Sequence, residues 1–183
     1  ISLTPVKFGI SFTLTYLNQA GALVHVYTDG SVHLNHGGTE MGQGLYTKVA
    51  QVVAEEFGIA ASDVRITATT TGKVPNTSAT AASSGADLNG MAAKAAASTI
   101  KNRLIDFVAK QWKVPKSRVR FEGGKVLAGK RAIAFGELAR QAHAARISLS
   151  STGYYATPKI HWDRAKAKGR PFFYFAYGAS CSE

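Results

Sequence analysis

Residues 22–49, ALVHVYTDGSVHLNHGGTEMGQGLYTKV, contain a hairpin, a glycine-rich loop and the start of a helix. Asp29-Gly30 is a strong sequence signal for a tight turn. It predicts that residues 22–28 and 32–36 pair as antiparallel strands. After the second strand, HGGTEMGQG places four glycines within eight positions. The order strand, turn, strand, loop and helix therefore predicts where this loop must emerge from the fold.

A helix is predicted over residues 43–57, directly after the loop, and Gly58 is expected to end it. Its apolar residues recur at helical spacing, namely Leu45, Val49, Val52 and Val53. Glu55 and Glu56 are expected to face water.

The rest of the chain mixes strands and helices. The same patterns predict strands over residues 7–17, 64–70, 147–151 and 172–179, a hairpin over 119–127, and helices over 84–113 and 135–146. Apolar residues recur every four positions along the longest helix, at Leu88, Ala92, Ala96, Ile100, Leu104 and Val108. Its many alanines predict a close approach to the element beneath it. The predicted class is α+β, a single unit over residues 1–183 with antiparallel hairpins and strands packed on two main helices.

The glycine loop has two possible explanations. Glycines allow backbone N–H groups to turn toward a ligand, and the first N–H groups of a helix attract anions. A second loop, TGKVPNTSATAASSG, contains Pro75 and has Ser83 and Ser84 as candidate helix caps. Two such loops side by side could hold one extended anionic ligand. The alternative is a tight loop before a well-capped helix, with no ligand. Neither the Rossmann fingerprint nor the P-loop motif fits the spacing.

The composition leaves several partners open. The formal net charge of +11 is compatible with nucleic acid, a membrane surface or an anionic ligand. Residues 101–131 hold ten basic residues against Asp106 and Glu122, which makes a nucleic-acid-binding module an alternative function. No apolar run reaches the length of a membrane span. The five histidines show no metal-ligand spacing, and the single cysteine, Cys181, is consistent with a reducing compartment such as the cytoplasm.

Several motifs occur in an order known from one enzyme family. GGTEMGQG precedes LYTKVAQVVAEE, and VPNTSATAAS precedes a helix. The flanking segments are KFGISFTLTYLNQAGALVHVYTDGSV, STGYYATP and YFAYGASCSE. Together they resemble the molybdopterin-binding part of the xanthine dehydrogenase/xanthine oxidase family over nearly the whole chain. Aldehyde oxidases are close relatives and remain an alternative. Because the chain begins without Met and ends in a predicted strand, we expect an internal fragment of the large molybdenum subunit.

The resemblance implies roles for nine residues. Met41, Gly42 and Gln43 would contact the pterin, with the following helix start suited to its phosphate. Ala82, Ser83, Ser84 and Gly85 match the second cofactor loop, although Ser84 and Gly85 depart from the usual family residues. Phe12 and Thr13 match positions of the substrate pocket.

The resemblance also implies what lies elsewhere. The family holds molybdenum through molybdopterin, so no metal-ligating side chain is expected here. Its catalytic glutamate lies in a Gly-Glu-Pro motif, which this sequence lacks, so no catalytic residue is assigned to the chain. The complete enzyme would hydroxylate hypoxanthine and xanthine to urate and pass electrons through 2Fe-2S clusters and FAD to NAD. The expected partners are the remaining molybdenum-subunit domains, the iron–sulfur and flavin subunit and a purine. The fragment alone is expected to be inactive.

Overall fold

The computed structural model describes residues 1–73 and 77–183. Its strands are β1 (Ser2–Ile10), β2 (Gln19–Val26), β3 (Val32–His36), β4 (Val64–Ile66), β5 (Arg120–Glu122), β6 (Lys125–Ala128), β7 (Arg131–Ala134), β8 (Ser150–Ala156), β9 (His161–Asp163), β10 (Lys168–Arg170) and β11 (Tyr174–Ser182). Its helices are α1 (Leu45–Phe57), α2 (Gly85–Trp112) and α3 (Phe135–Ala144). None of the helices in these two ranges is long and apolar enough to cross a membrane.

The central sheet has the strand order β4-β3-β2-β8. The predicted hairpin is present, with Val24 opposite Leu34 in the antiparallel β2–β3 pair. β8 pairs antiparallel with the other edge of β2, whereas β4 runs parallel to β3. The β3–β4 pair is parallel because α1 connects the two strands, as a crossover helix does. Sheets and helices are mixed as predicted, which confirms the α+β class.

The core lies where α2 crosses the central sheet. All six apolar residues predicted on the α2 stripe are buried, as are Leu45, Val49 and Val53 on α1. Alanines at the contact allow α2 to lie directly on β8. A Cβ at Gly153 of β8 would overlap the carbonyl oxygen of Ala92 in α2. The close approach predicted from the alanine content is therefore real, and β8 is the element beneath the helix.

Glu56 joins α1 to α2, contrary to its predicted exposure. Its carboxylate lies 3.6 Å from Nζ of Lys94 and 3.5 Å from Nζ of Lys101, and only 16% of the side chain is exposed. Glu55 is exposed as predicted. Of the two glutamates, Glu56 thus contacts α2 and Glu55 faces solvent.

Among the described residues, three smaller sheets lie outside the central sheet, one of them the antiparallel β9–β10 pair. β5, β6 and β7 form an antiparallel sheet, and α3 follows β7 directly. Phe57 at the end of α1 packs on Phe135 at the start of α3, with ring centroids 5.3 Å apart. β1 and β11 form a separate antiparallel ribbon in which Ser2 lies opposite Ser182.

Several predicted boundaries are wrong. The strand predicted over residues 7–17 ends at Ile10. The side-chain amide of Asn18 accepts from the N–H of Phe12 and donates to its carbonyl oxygen, which folds the residues between them into a loop. The strand predicted over 64–70 ends at Ile66, and that predicted over 147–151 begins later, as β8. Strands β7, β9 and β10 were not predicted. Pro75, expected in the second loop, lies outside the described residues.

Candidate functional site

The four glycines of the first loop perform two different tasks. A Cβ at Gly38 would lie 2.6 Å from Cδ2 of Leu45 and 2.7 Å from Nδ2 of Asn89, so this position has no room for a side chain. Gly37 is similarly enclosed by Thr77. By contrast, Gly42 and Gly44 face open space and have φ of 98° and 74°, a conformation that favours glycine. The first pair therefore serves packing, and the second pair turns the backbone into α1.

The second loop adopts a strained backbone. Ala82 and Ser83 have φ of 55° and 56°, in the left-handed region that non-glycine residues seldom occupy. Ser84 occupies the position before α2 but does not cap the helix with its side chain, since its Oγ donates to the carbonyl oxygen of Ala81. Strain of this kind collects at functional sites, where the surrounding structure maintains it.

The two loops lie side by side. The backbone N–H of Thr39 in the first loop donates to Oγ1 of Thr80 in the second, at 2.8 Å. Between them is a concave cavity of about 390 Å³. It is lined by Met41, Gln43, Leu45, Lys48, Thr80, Ala81, Ser83, Gly85 and Ala86. Two loops separated by about forty residues of sequence thus open on one surface, each at the start of a helix.

The structure brings four of the nine predicted site residues to this cavity. These are Met41, Gln43, Ser83 and Gly85. Gly42, Ala82 and Ser84 belong to the same loops but shape the backbone instead of lining the wall. Phe12 and Thr13 do not line the cavity: Phe12 is half-buried beside Asn18, and Thr13 is exposed.

The expectation that the start of α1 would offer free amides to a ligand is wrong. The carboxylate of Glu40 already accepts hydrogen bonds from the N–H groups of Gly42, Gly44 and Tyr46, at 2.9, 3.0 and 2.9 Å. These bonds, above all the one from Tyr46, hold the pKa of Glu40 below its usual range. The protein itself therefore supplies the anion at this helix start.

A buried polar network supports the first loop from below. His36 is almost fully buried, and its Nδ1 accepts a hydrogen bond from the N–H of Gly38 at 3.1 Å. Its ring meets Tyr46 edge-on, and Oγ1 of Thr69 donates to the carbonyl oxygens of His36 and Gly38. Burial lowers the pKa of His36 to about 4, with Glu40 opposing the shift in part. His36 is therefore a neutral structural histidine beneath the loop.

Five cavity residues were not predicted as site residues from the sequence, namely Leu45, Lys48, Thr80, Ala81 and Ala86. Lys48 contributes a cationic side chain one helical turn after Gly44, and Thr80 and Ala86 complete the wall on the second side. The spacing of Lys48 from the glycine loop could have revealed it, because residues four apart share a helix face. No cluster of three or more potential metal ligands occurs among residues 1–73 and 77–183.

The fold and the site define a ligand-binding module in which two loops face each other. One loop joins β3 to α1, and the other leads into α2. The chain belongs to the family of the molybdopterin cofactor-binding domain, whose model matches residues 1–183.

Curated relatives agree with this assignment. The chain is 48% identical to xanthine dehydrogenase/oxidase of Mus musculus over 183 residues, which is all of this chain and 12% of the relative. It is 46% identical to xanthine dehydrogenase of Dictyostelium discoideum, again with 12% of the relative covered. The family resemblance inferred from the motifs is thereby confirmed, and the chain spans about an eighth of the length of these relatives.

Solved structures of low sequence identity share the fold. Quinoline 2-oxidoreductase from Pseudomonas putida 86 matches 97% of this chain and 23% of its own, with a TM-score of 0.80 at 21% identity. The Cu,Mo-CO dehydrogenase matches with a TM-score of 0.75 at 21% identity, covering 97% of this chain and 22% of its own.

Proposed function

We propose that this chain forms one wall of the molybdenum–molybdopterin site in a xanthine dehydrogenase. The observation that supports this is the cavity between the two loops, which contains Met41 and Gln43 on one side and Ser83 and Gly85 on the other. These four are among the residues for which the family resemblance implies cofactor contact. The identities of 46–48% to xanthine dehydrogenases favour a purine over an aldehyde as the substrate of the complete protein.

The residues present fit a pterin with a phosphate tail. Thr80 and Ser83 offer hydroxyl groups, and Gln43 offers the second amide hydrogen and oxygen lone pair beyond its bonds to Met41 and Thr39. Met41, Leu45 and Ala81 offer apolar surface for a flat ring. Since Glu40 occupies amides at the start of α1, we assign the phosphate to Lys48, whose ammonium is a common phosphate ligand. Gly42, Ala82 and Ser84 set the backbone that carries these groups.

The role of this chain in the reaction is to bind and orient. When bound, the molybdenum cofactor would supply the redox chemistry that hydroxylates hypoxanthine or xanthine, with electrons leaving through 2Fe-2S clusters and FAD to NAD. Gln43 and Ser83 would fix the cofactor against the loops and exclude water from its contact face. We propose that Phe12 and Thr13 reach the purine only when the other domains of the complete protein close the pocket. The catalytic base would come from those domains.

Nucleic-acid binding receives little support from the basic segment 101–131. Several of its cations already have partners within the fold. Lys101 pairs with Glu56, Arg103 donates to the carbonyl oxygens of Ser148 and Ser150, and Lys116 pairs with Asp106 at 2.7 Å. Bonds of this kind within the fold reduce the number of cations available for phosphate contact.

Filling the cavity tests the proposal. Ala86 is exposed at the cavity wall on the first turn of α2, so Ala86→Trp would obstruct the cofactor without entering the core. In the complete protein we expect at least a tenfold fall in molybdenum per chain. Ala95→Trp, at an exposed position of the same helix away from the cavity, is the matched control. Normal molybdenum content in Ala86→Trp would contradict the proposed site.

A separate prediction concerns the 183-residue chain by itself. The chain would supply one wall of the complete cofactor site, and its sequence lacks the Gly-Glu-Pro glutamate, so most cofactor contacts and the catalytic base would come from other domains. We expect the purified chain to contain no molybdenum and to leave xanthine unchanged. Elemental analysis and urate absorbance measure the two results, and stoichiometric molybdenum in the purified chain would show that one wall is sufficient.

A further inference from the structure

The first loop is closed by the side chain of one of its own residues. Oε1 of Glu40 accepts hydrogen bonds from the N–H groups of Gly42 and Gly44, and Oε2 accepts one from Tyr46. A single carboxylate thus binds three amides spread over five residues. Two of these residues, Gly42 and Gly44, have positive φ. A glycine that is not held by such bonds exchanges readily between this conformation and others.

The side-chain amide of Gln43 is also paired within the loop. Oε1 of Gln43 accepts from the N–H of Met41 at 2.6 Å, and Nε2 of Gln43 donates to the carbonyl oxygen of Thr39 at 3.0 Å. Thr39 is in turn bonded to Thr80 of the second loop. The chain of bonds therefore runs from the Glu40 carboxylate through the turn to the opposite wall.

Glu40 does not line the cavity, but chain neighbours of the glycines that it binds do. Met41 and Gln43 face the cavity, while the amides next to them point to Glu40. The orientation of Met41 and Gln43 in the cavity wall thus depends on the Glu40 carboxylate, which itself does not line the cavity. Hydrogen bonds to an ionised acceptor are about twice as strong as neutral ones, which suits a clamp on a glycine-rich turn.

We infer that Glu40 is a positioning residue that holds the Met41–Gln43 segment in its ligand-ready conformation by binding the amides of Gly42, Gly44 and Tyr46. The inference rests on the proposed function, because the ligand is the molybdenum cofactor assigned to this cavity. It goes beyond the contact residues, since Glu40 acts through the backbone and touches no ligand.

The variants separate charge from size. Glu40→Gln keeps the length and shape of the side chain, but its NH2 group faces a backbone donor and its charge is lost. Glu40→Ala removes the clamp altogether. Glu55→Gln removes an exposed glutamate from α1 and is the matched control, because it lies at the far end of the same helix.

Hydrogen exchange by mass spectrometry on the cofactor-free complete protein measures the clamp directly. In Glu40→Gln and Glu40→Ala, the segment 41–46 should exchange at least tenfold faster, which corresponds to about 1.4 kcal/mol. Exchange in β2 and α2 should stay unchanged, as should the whole pattern of Glu55→Gln. Unchanged exchange in 41–46, or faster exchange spread over β2 and α2, would overturn the inference, since neither result describes a local clamp.

Molybdenum per chain in the same variants supplies the second measurement. We expect a fall of at least tenfold for both Glu40 variants. A mobile loop with normal molybdenum content would overturn the positioning role. If Ala86→Trp lowers molybdenum but the Glu40 variants do not, the proposed function stands and the Glu40 inference fails. If Ala86→Trp has no effect, the cofactor site itself is wrong, whatever the loop exchange shows.

Discussion

Replacing Gly153 by alanine should destabilise the folded chain by about 3 kcal/mol, at the upper end of the usual cost of overpacking. The added methyl group would overlap the carbonyl oxygen of Ala92 and would lie 2.5 Å from the backbone nitrogen of Ala96. These atoms belong to the rigid backbone of α2, so no flexible side chain can move aside. Alanine also lowers the conformational entropy of the unfolded chain, which stabilises the folded state by at most about 1 kcal/mol. This gain is too small to offset the clash.

Thermal unfolding of the purified chain checks this expectation. For a chain of this size, a loss of 3 kcal/mol lowers the melting temperature by roughly 6–12 °C. Gly178→Ala in β11 is the matched control, because a Cβ there meets nothing within 4 Å. Equal melting temperatures for the two variants would show that α2 can move away from β8 at little cost.

The sequence predicted the core well because its determinants are local. Periodicity, with Gly58 after α1 and the serines before α2, located both helices to within one or two residues at each end, and the Asp29-Gly30 turn predicted the β2–β3 hairpin. The alanine content of α2 predicted a close contact. It could not identify β8 as the element beneath α2, since β8 reaches that place by pairing with β2, where Ala22 lies opposite Gly153 across more than a hundred residues.

The errors have particular physical causes. Phe12 and Thr13 fit a strand pattern, but Asn18 provides alternative hydrogen bonds to the backbone of Phe12. Glu56 is a residue type usually found on a solvated helix face, yet its carboxylate pairs with Lys94 and Lys101 of α2. The deciding side chain lies directly after the strand pattern in the first case and on another helix in the second, so the periodic pattern itself contains neither.

The candidate site was predictable in part. That two glycine- and serine-rich segments precede helices can be read from sequence, but that they share a cavity depends on the tertiary fold. The role of Glu40 was missed for a different reason. A glutamate before a helix is typical of a dipole partner, and only the geometry shows that it binds three amides of one turn.

The acid stability of the chain should depend on His36. Burial lowers the pKa of His36 to about 4, below the ordinary value near 6.5. The unfolded state therefore binds more protons than the folded state between these values. The stabilising contribution is complete above pH 6.5 and decreases as the pH falls, by up to about 1.4 kcal/mol per pH unit. Protonation would also break the bond from Gly38, which needs the unprotonated Nδ1 as acceptor.

Asp87 acts in the opposite direction over part of this range. Burial raises the pKa of Asp87 from 3.8 to about 6, so the folded state binds more protons there and gains stability as the pH falls below 6. Because the carboxylate is partly solvated, we expect this gain to be about 1 kcal/mol. Asp87→Asn removes it and should expose the histidine effect. The lowered pKa values of Asp29, Glu40 and Glu137 affect stability only below about pH 4.5.

Urea unfolding between pH 7.5 and 4.5 separates these contributions. In the Asp87→Asn background, the free energy of unfolding should fall by about 2–3 kcal/mol over this interval, because His36 must be charged in the unfolded state alone. Adding His36→Gln should make the profile nearly flat, at a lower stability near neutral pH. His33 has a pKa lowered in the same direction, chiefly by burial, so His33→Gln is the necessary control and should preserve most of the slope. A slope that survives His36→Gln but disappears with His33→Gln would assign the acid sensitivity to the sheet surface, and the histidine beneath the glycine loop would then be a packing residue without influence on stability between these pH values.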